Sequence, residues 1–233
     1  MKFFPCQKLL MLGVLFLSCV VVAQEKTSAV KNKSRWGNYL LVDAVWDAQP
    51  NLNRVLENNG LSKTPAFQAG ATFGWLYQAN RFEAGLDASL FGRSANKEEV
   101  EMQRRSIQLS LNFKYLTGKQ VQWYPIAGVG FASGINRISP KSVATDINIA
   151  LTTNRNTTTL HNQQGFAQIG AGIRFNGDSS APVFEGFEVG YRLGFSATPW
   201  STRQGGGNMT NSVTDELRQF YVRLVIVGFK KRR

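Results

Sequence analysis

Apolar and polar side chains alternate one for one along most of this chain. Ile107, Leu109, Leu111, Phe113 and Tyr115 interleave with Ser106, Gln108, Ser110, Asn112 and Lys114, and Phe82, Ala84, Leu86, Ala88 and Leu90 with Glu83, Gly85, Asp87 and Ser89. Successive strand residues point to opposite faces, so a period of two gives each strand one apolar and one polar face. The pattern predicts strands over 37–46, 67–77, 81–91, 105–116, 123–133, 165–175, 187–196 and 219–229. Pro125 must sit near the start of the fifth, because proline breaks the hydrogen-bond ladder. Each stretch is close to the 9–11 residues with which a tilted strand crosses a bilayer.

The connections alternate in length. Segments 47–66, 92–104, 134–164 and 197–218 are long; 78–80 and 117–120 are short, and 176–178 opens a moderate turn. A bacterial outer-membrane barrel has long loops outside and short turns in the periplasm, whereas a soluble sandwich has no reason to sort its loops this way. Aromatic residues gather at strand ends, as the two interfaces of a barrel select. Trp36, Tyr39, Trp75, Tyr77, Tyr115, Trp123 and Tyr124 form the short-turn girdle, and Trp46, Phe67, Phe91, Phe131, Phe166, Phe195 and Phe220 the long-loop one. The expected fold is an all-β, eight-stranded antiparallel transmembrane barrel, integral to the outer membrane of a Gram-negative bacterium.

In such a barrel the polar faces line the inside. Arg81, Glu83, Asp87, Lys114, Arg174, Glu188, Arg192 and Arg223 are then lumen residues, with Asp43 a candidate ninth. Eight strands leave an interior just wide enough for side chains to fill. Buried charges must be paired, so these residues are expected to form a salt-bridged plug.

The ends change the picture of compartment and partners. Lys2 and Lys8, the apolar run 9–22 and Ala23 read as an export signal over 1–23, too short for a spanning helix. Phe16-Leu17-Ser18-Cys19 faintly resembles a lipoprotein signal, but Val20, Val21 and Val22 continue the apolar run beyond the cysteine. Cys6 and Cys19 are the only cysteines, so the mature chain would carry neither thiols nor disulfides. The formal charge is +12; loss of Lys2 and Lys8 lowers it by two, to about +10. Much of that charge lies in a basic periplasmic linker over 24–35, with Lys26, Lys31, Lys33 and Arg35, and in a tail over 230–233, leaving a near-balanced barrel over 36–229. An exported chain whose charge sits in its flanks argues against a nucleic-acid partner; outer-membrane lipid and lipopolysaccharide are expected around it, with another envelope protein as a further candidate.

The signal, the strand Trp123-Tyr124-Pro125-Ile126-Ala127-Gly128-Val129-Gly130 and the basic-aromatic ending resemble the small outer-membrane β-barrel family of Bacteroidetes-type bacteria. In size and layout the chain is similar to the OmpA and OmpX barrels. The resemblance covers nearly all of the mature chain and implies its fold and location. It departs at the end, where four basic residues follow Phe229.

The search for chemistry assigns no catalytic, cofactor or metal residues. His161, the only histidine, reads as a solvated loop residue with Leu160 and Asn162 beside it rather than a serine. Glu98, Glu99 and Glu101 read as a solvated acidic stretch, and Gly205-Gly206-Gly207 as a flexible loop without the strand–helix setting of a phosphate cradle. The expected function is non-enzymatic, structural or surface-interacting through the long loops. The alternatives are a narrow, porin-like channel or transporter for small solutes and a lipid-modifying barrel enzyme.

Overall fold

The computed structural model describes residues 34–97, 100–118, 121–140, 157–175, 185–202 and 212–227; the signal, most of the basic linker, the basic tail, Glu98, Glu99 and the glycine triplet lie outside them. The strands are β1 (Ser34–Asp47), β2 (Phe67–Ala79), β3 (Phe82–Lys97), β4 (Val100–Tyr115), β5 (Val121–Pro140), β6 (Thr158–Phe175), β7 (Gly186–Phe195), a short β8 (Ser201–Thr202) and β9 (Arg218–Val227). One helix, α1 (Pro50–Asn58), lies between β1 and β2. Each strand pairs antiparallel with its neighbour in the chain up to β7, which pairs with β9, and β9 pairs with β1. β8 extends the lane of β7 along β6, opposite Leu160 and His161.

The result is a closed ring of eight strands. Its stagger is readable from the register. From Asp43, directly opposed residues run through Gly70, Phe91, Ser106 and Gly134 to Asn162 in one direction. In the other they run through Arg223 and Glu188 to Gly172, ten positions further along β6. A stagger of this kind obliges the strands to tilt, typically about 35–45° from the barrel axis.

The outer surface is the apolar one. Leu90, Leu109, Ile169 and Leu193 are more than half exposed, while the residues between them, such as Gln108, Ser110 and Gln168, are buried. Water does not tolerate a continuous apolar belt of that kind, and lipid requires it. Ring closure also satisfies the backbone groups that an open sheet edge would leave bare in hydrocarbon. The chain is therefore an eight-stranded antiparallel transmembrane β-barrel, integral to the outer membrane. Outward-facing Trp36 and Tyr77, Phe82 and Tyr115, and Trp46 with Phe67 and Phe220 make ring contacts at the two rims of the belt. Pro125 lies just before the pairing of β5 with β4 begins at Ile126, so its missing N–H is easily accommodated there.

Several expectations are corrected. Arg81 is not a lumen residue: β3 starts at Phe82, and Arg81 lies exposed in a two-residue turn with Asn80, whose φ of 55° suits asparagine. Tyr39 and Tyr124 do not join the girdle. Each has the parity of the polar face, next to an outward neighbour, and both are buried in the lumen. Phe91 and Phe166 turn inward for the same reason. Two of the long connections contain strand: 92–104 is mostly strand, β3 and β4 extending to Lys97 and Val100, and β5 and β6 extend into 134–164 as far as Pro140 and Thr158. His161 thus lies within β6, opposite Ile135 and Ser201, and not in a loop.

Two measurements check this arrangement. Arginine at Leu109, near the middle of the belt, should cost about 2–4 kcal/mol in urea titrations of vesicle-inserted protein, and arginine at Trp123, near the interface, at most about 1 kcal/mol. A cysteine placed at Glu57 in α1 should react with an impermeant maleimide on intact cells, and one placed at Arg81 should not.

Candidate functional site: the filled lumen and its cap

The polar faces meet inside the ring. Among the described residues the lumen holds four cations, Lys114, Arg174, Arg192 and Arg223, and four anions, Asp43, Glu83, Asp87 and Glu188, all buried. Toward the short-turn end Arg174 makes a two-pronged contact with Glu83, at 2.9 and 3.3 Å. Lys114 bridges Glu188 at 2.6 Å and Glu83 at 3.4 Å, and the Tyr124 hydroxyl donates to Glu188 at 3.2 Å. Arg223 stands 2.9 Å from Asp43, 3.2 Å from Asp87 and 3.6 Å from Glu188. The Asp87 carboxylate also accepts from the Tyr39 hydroxyl and from Asn112, and Thr72 donates to Asp43. Each carboxylate therefore meets a cation from a different strand, so the lattice ties β1, β3, β4, β6, β7 and β9 together across the interior.

Arg192 differs. It is wholly buried, yet its hydrogen bonds go to three glutamine oxygens, those of Gln108 at 2.7 Å, Gln219 at 2.5 Å and Gln168 at 3.2 Å. Its guanidinium also lies over the rings of Tyr221, Phe166 and Phe91, at 4.7, 5.6 and 5.7 Å from their centroids. Amide oxygens and π-faces both stabilise a guanidinium without a counter-charge. The sequence reading paired Arg192 with a carboxylate; the carboxylates lie nearer the short-turn end, where the other three cations take them.

Three tyrosines fit the lumen because glycine lies opposite them. A Cβ on Gly74 would overlap the Tyr39 ring, one on Gly172 the Tyr124 ring, and one on Gly170 or Gly190 the Tyr221 hydroxyl. Glycine on the polar faces thus provides room for aromatic rings to lie flat against the wall.

The long-loop end is capped. Leu52 and Leu56, one turn apart on α1, pack with Met102, Leu160 and Trp200 in a small buried cluster. Pro50 begins the helix, and Asp215, arriving from the last long connection, accepts from the backbone N–H groups of Asn51 and Leu52 at 2.8 and 2.9 Å. A carboxylate there satisfies orphan donors and favours the positive end of the helix. Trp200 donates its indole N–H to the same carboxylate at 3.1 Å. The helix ends with Gly60 at φ 71°, the Leu61 N–H reaching Leu56 O at 2.8 Å and Leu61 packing on the cluster. Below it Arg104 pairs with the Asp47 carboxylate and donates to the carbonyls of Asp47 and Pro65 at 2.8 and 3.0 Å. Neither α1 nor Asp215 was legible as a cap, since two leucines in nine residues make a weak helical signal.

The other predicted residues stay at the rim. Trp36, Trp75, Tyr77, Tyr115 and Trp123 face outward on β1, β2, β4 and β5. His161 also faces outward, with Ser201 opposite it in register; no side-chain hydrogen bond joins the two among the described residues.

No family model matches the chain, and no curated protein matches it. Among solved structures it is similar to Ail, the attachment invasion locus protein of Yersinia pestis, at 10% identity over 86% of this chain and 100% of that one, with a TM-score of 0.41. It is also similar to the neisserial surface protein NspA, at 11% identity over 82% of this chain and 98% of that one, TM-score 0.38. A third is the translocator domain of the autotransporter NalP from Neisseria meningitidis, at 14% identity over 92% and 68%, TM-score 0.39.

The lattice predicts a ranking. Glu83→Ala removes both prongs from buried Arg174, and Glu188→Ala removes the nearest carboxylate from buried Lys114; each should destabilise the barrel by up to about 3–5 kcal/mol, against no more than about 0.5 kcal/mol for Glu57→Ala on the exposed face of α1. Arg223→Met leaves Asp43 and Asp87 without a cation, while Glu188 keeps Lys114, and should cost more than Arg192→Met, which leaves only amide oxygens. Urea titration read by gel mobility of unheated samples measures both.

Proposed function

We propose that this chain is a non-enzymatic envelope protein, a closed barrel with a structural or surface-interaction role. The observation that carries the reading is the filling of the lumen by equal numbers of opposite charges, locked across strands and roofed by α1. An eight-stranded barrel has no room left for a water column once such side chains meet. What remains for contact is the outside: the lipid-facing belt, and the surface formed by α1 and the extended ends of β3 to β6. Membrane lipid and lipopolysaccharide surround that surface, and another envelope protein could dock on it. Among barrels, the small Bacteroidetes-type outer-membrane family remains the resemblance that suits its strand pattern.

A lipid-modifying enzyme is the reading that the outward pair of His161 and Ser201 raises. A nucleophile needs its base within hydrogen-bond reach and the base needs a third group to orient it. No such bond joins these two residues, and no acidic residue lies in the adjoining register positions on that face.

In a planar bilayer the protein should show little steady conductance, and Glu188→Ala, which breaks the lattice, should raise it. Large, stable single-channel currents from the unaltered protein would favour the channel instead.

A further inference from the structure

One stretch of the outer surface carries charge where the rest carries hydrocarbon. On β4, Arg105 alternates with buried Arg104 and Ser106, so it faces outward, and it is exposed. On β5, Arg137 stands between buried Asn136 and Ile138, which packs into the cap, so it too faces outward and is exposed. The register opposes Arg105 to Ile135, and Arg137 to Gln103 and Thr159. The two arginines are thus diagonal neighbours on adjacent strands, about 7–8 Å apart at the backbone. Neither has a carboxylate within ion-pair distance among the described residues; the carboxylate on this face, Glu101, lies a row further out and accepts from Gln103 at 2.8 Å. Thr159, His161 and Gln163, outward on β6, add hydrogen-bonding groups beside them.

Height says what they meet. Tyr115, in the inner girdle, lies ten residues from Arg105 along β4. At about 3.3 Å per residue and a tilt near 40° that is roughly 25 Å, the height of the apolar band of such barrels. The next outward rows toward the membrane, with Ile107 and then Leu109 and Phe131, face lipid. The arginines therefore sit at the headgroup level of the outer leaflet, held on rigid strands; Arg105 makes one long hydrogen bond, to Gln103 Oε1 at 3.5 Å, which a phosphate could replace.

We infer that Arg105 and Arg137 form a docking site for the phosphates of a phosphorylated glycolipid in the outer leaflet, its acyl chains lying against Ile107, Leu109 and Phe131. The site rests on the reading of the chain as an outer-membrane barrel and is independent of whether its lumen conducts. Arginine suits the role because its fork matches phosphate oxygens and it never loses its charge. Gln103, Thr159 and His161 are placed to reach sugar hydroxyls.

The test is retention of diphosphorylated lipid A by the full barrel in detergent micelles, read by native mass spectrometry. Gel mobility of unheated samples verifies folding of each variant. The unaltered protein should bind diphosphorylated lipid A at least about tenfold more tightly than the dephosphorylated lipid, less so as salt rises. The charge reversal Arg105→Glu/Arg137→Glu should lose about tenfold or more, Arg137→Gln alone a smaller part, and Arg54→Glu on α1 nothing. Full retention by the folded double variant, or by Arg137→Gln should the double variant fail to fold, would overturn the site. Equal binding of the dephosphorylated lipid would do the same. Displacement by millimolar inorganic phosphate would assign the arginines to free phosphate and overturn the lipid; persistence in its presence supports the lipid.

Discussion

The ring must close, and the rest of the structure follows from that constraint. A strand in hydrocarbon cannot leave its backbone donors and acceptors unpaired, so the first strand has to find the last. It does so along Leu40–Asp47, opposite residues 219–227 of β9, with a bulge after Leu40 and with Asp43 directly opposite Arg223. The buried ion pair at that seam joins two segments separated by most of the chain. Closure at eight strands with a ten-residue stagger then makes the interior narrow, and a narrow interior lined by polar faces has to be filled by the side chains themselves.

Filling it is an electrostatic problem, and the chain solves it in two ways. Toward the short-turn end, three cations share four carboxylates, and the Tyr39 and Tyr124 hydroxyls and Asn112 take up remaining acceptor capacity. Nearer the long-loop end the fourth cation, Arg192, is held by amide oxygens and aromatic faces. The guanidiniums of Arg192 and its neighbour Arg223 both approach the same Tyr221 ring, at 4.7 and 4.8 Å. Desolvating a charge is expensive unless it is matched. Hence the interior confers specificity of register more than stability: a one-residue slip of any strand would place Glu83 or Arg223 in lipid.

The two ends of the barrel are built differently. The short-turn end is finished by hairpins such as Asn80-Arg81, whereas the long-loop end carries a small hydrophobic cluster of its own, roofed by α1 and pinned by Asp215. There the chain is organised like a soluble protein, apolar side inward; smaller apolar groups, such as Leu41 with Leu76 and Val225, also lie inside the barrel. The surface role we propose belongs to the same end, where the chain would meet both the outer leaflet and the exterior. Arg105 and Arg137 lie just where the apolar belt stops and the extended sheet of β3 to β6 begins.

Alternation by itself determined the strands, their inward and outward faces, the antiparallel order and the membrane setting, because a period of two is a local property that closure preserves. It also placed Glu83, Asp87, Lys114, Arg174, Glu188, Arg192 and Arg223 on the inside. Where a strand stops is not encoded in alternation, and there the reading failed: Arg81 fell into a turn, and 92–104 became mostly strand. Proximity to a strand end misplaced Tyr39 and Tyr124; Tyr39 shares its parity with Asp43, which already pointed inward, whereas apolar Ile126 beside Tyr124 hid the inward face of β5. Only the tertiary structure decided which charge meets which, because partners such as Arg174 and Glu83 lie 91 residues apart and are brought together by the stagger of the ring. The same holds for the glutamine cage of Arg192, for the seat of Asp215 at the start of α1 and for the adjacency of Arg105 and Arg137, each of which depends on register between strands, and register is a property of the closed sheet.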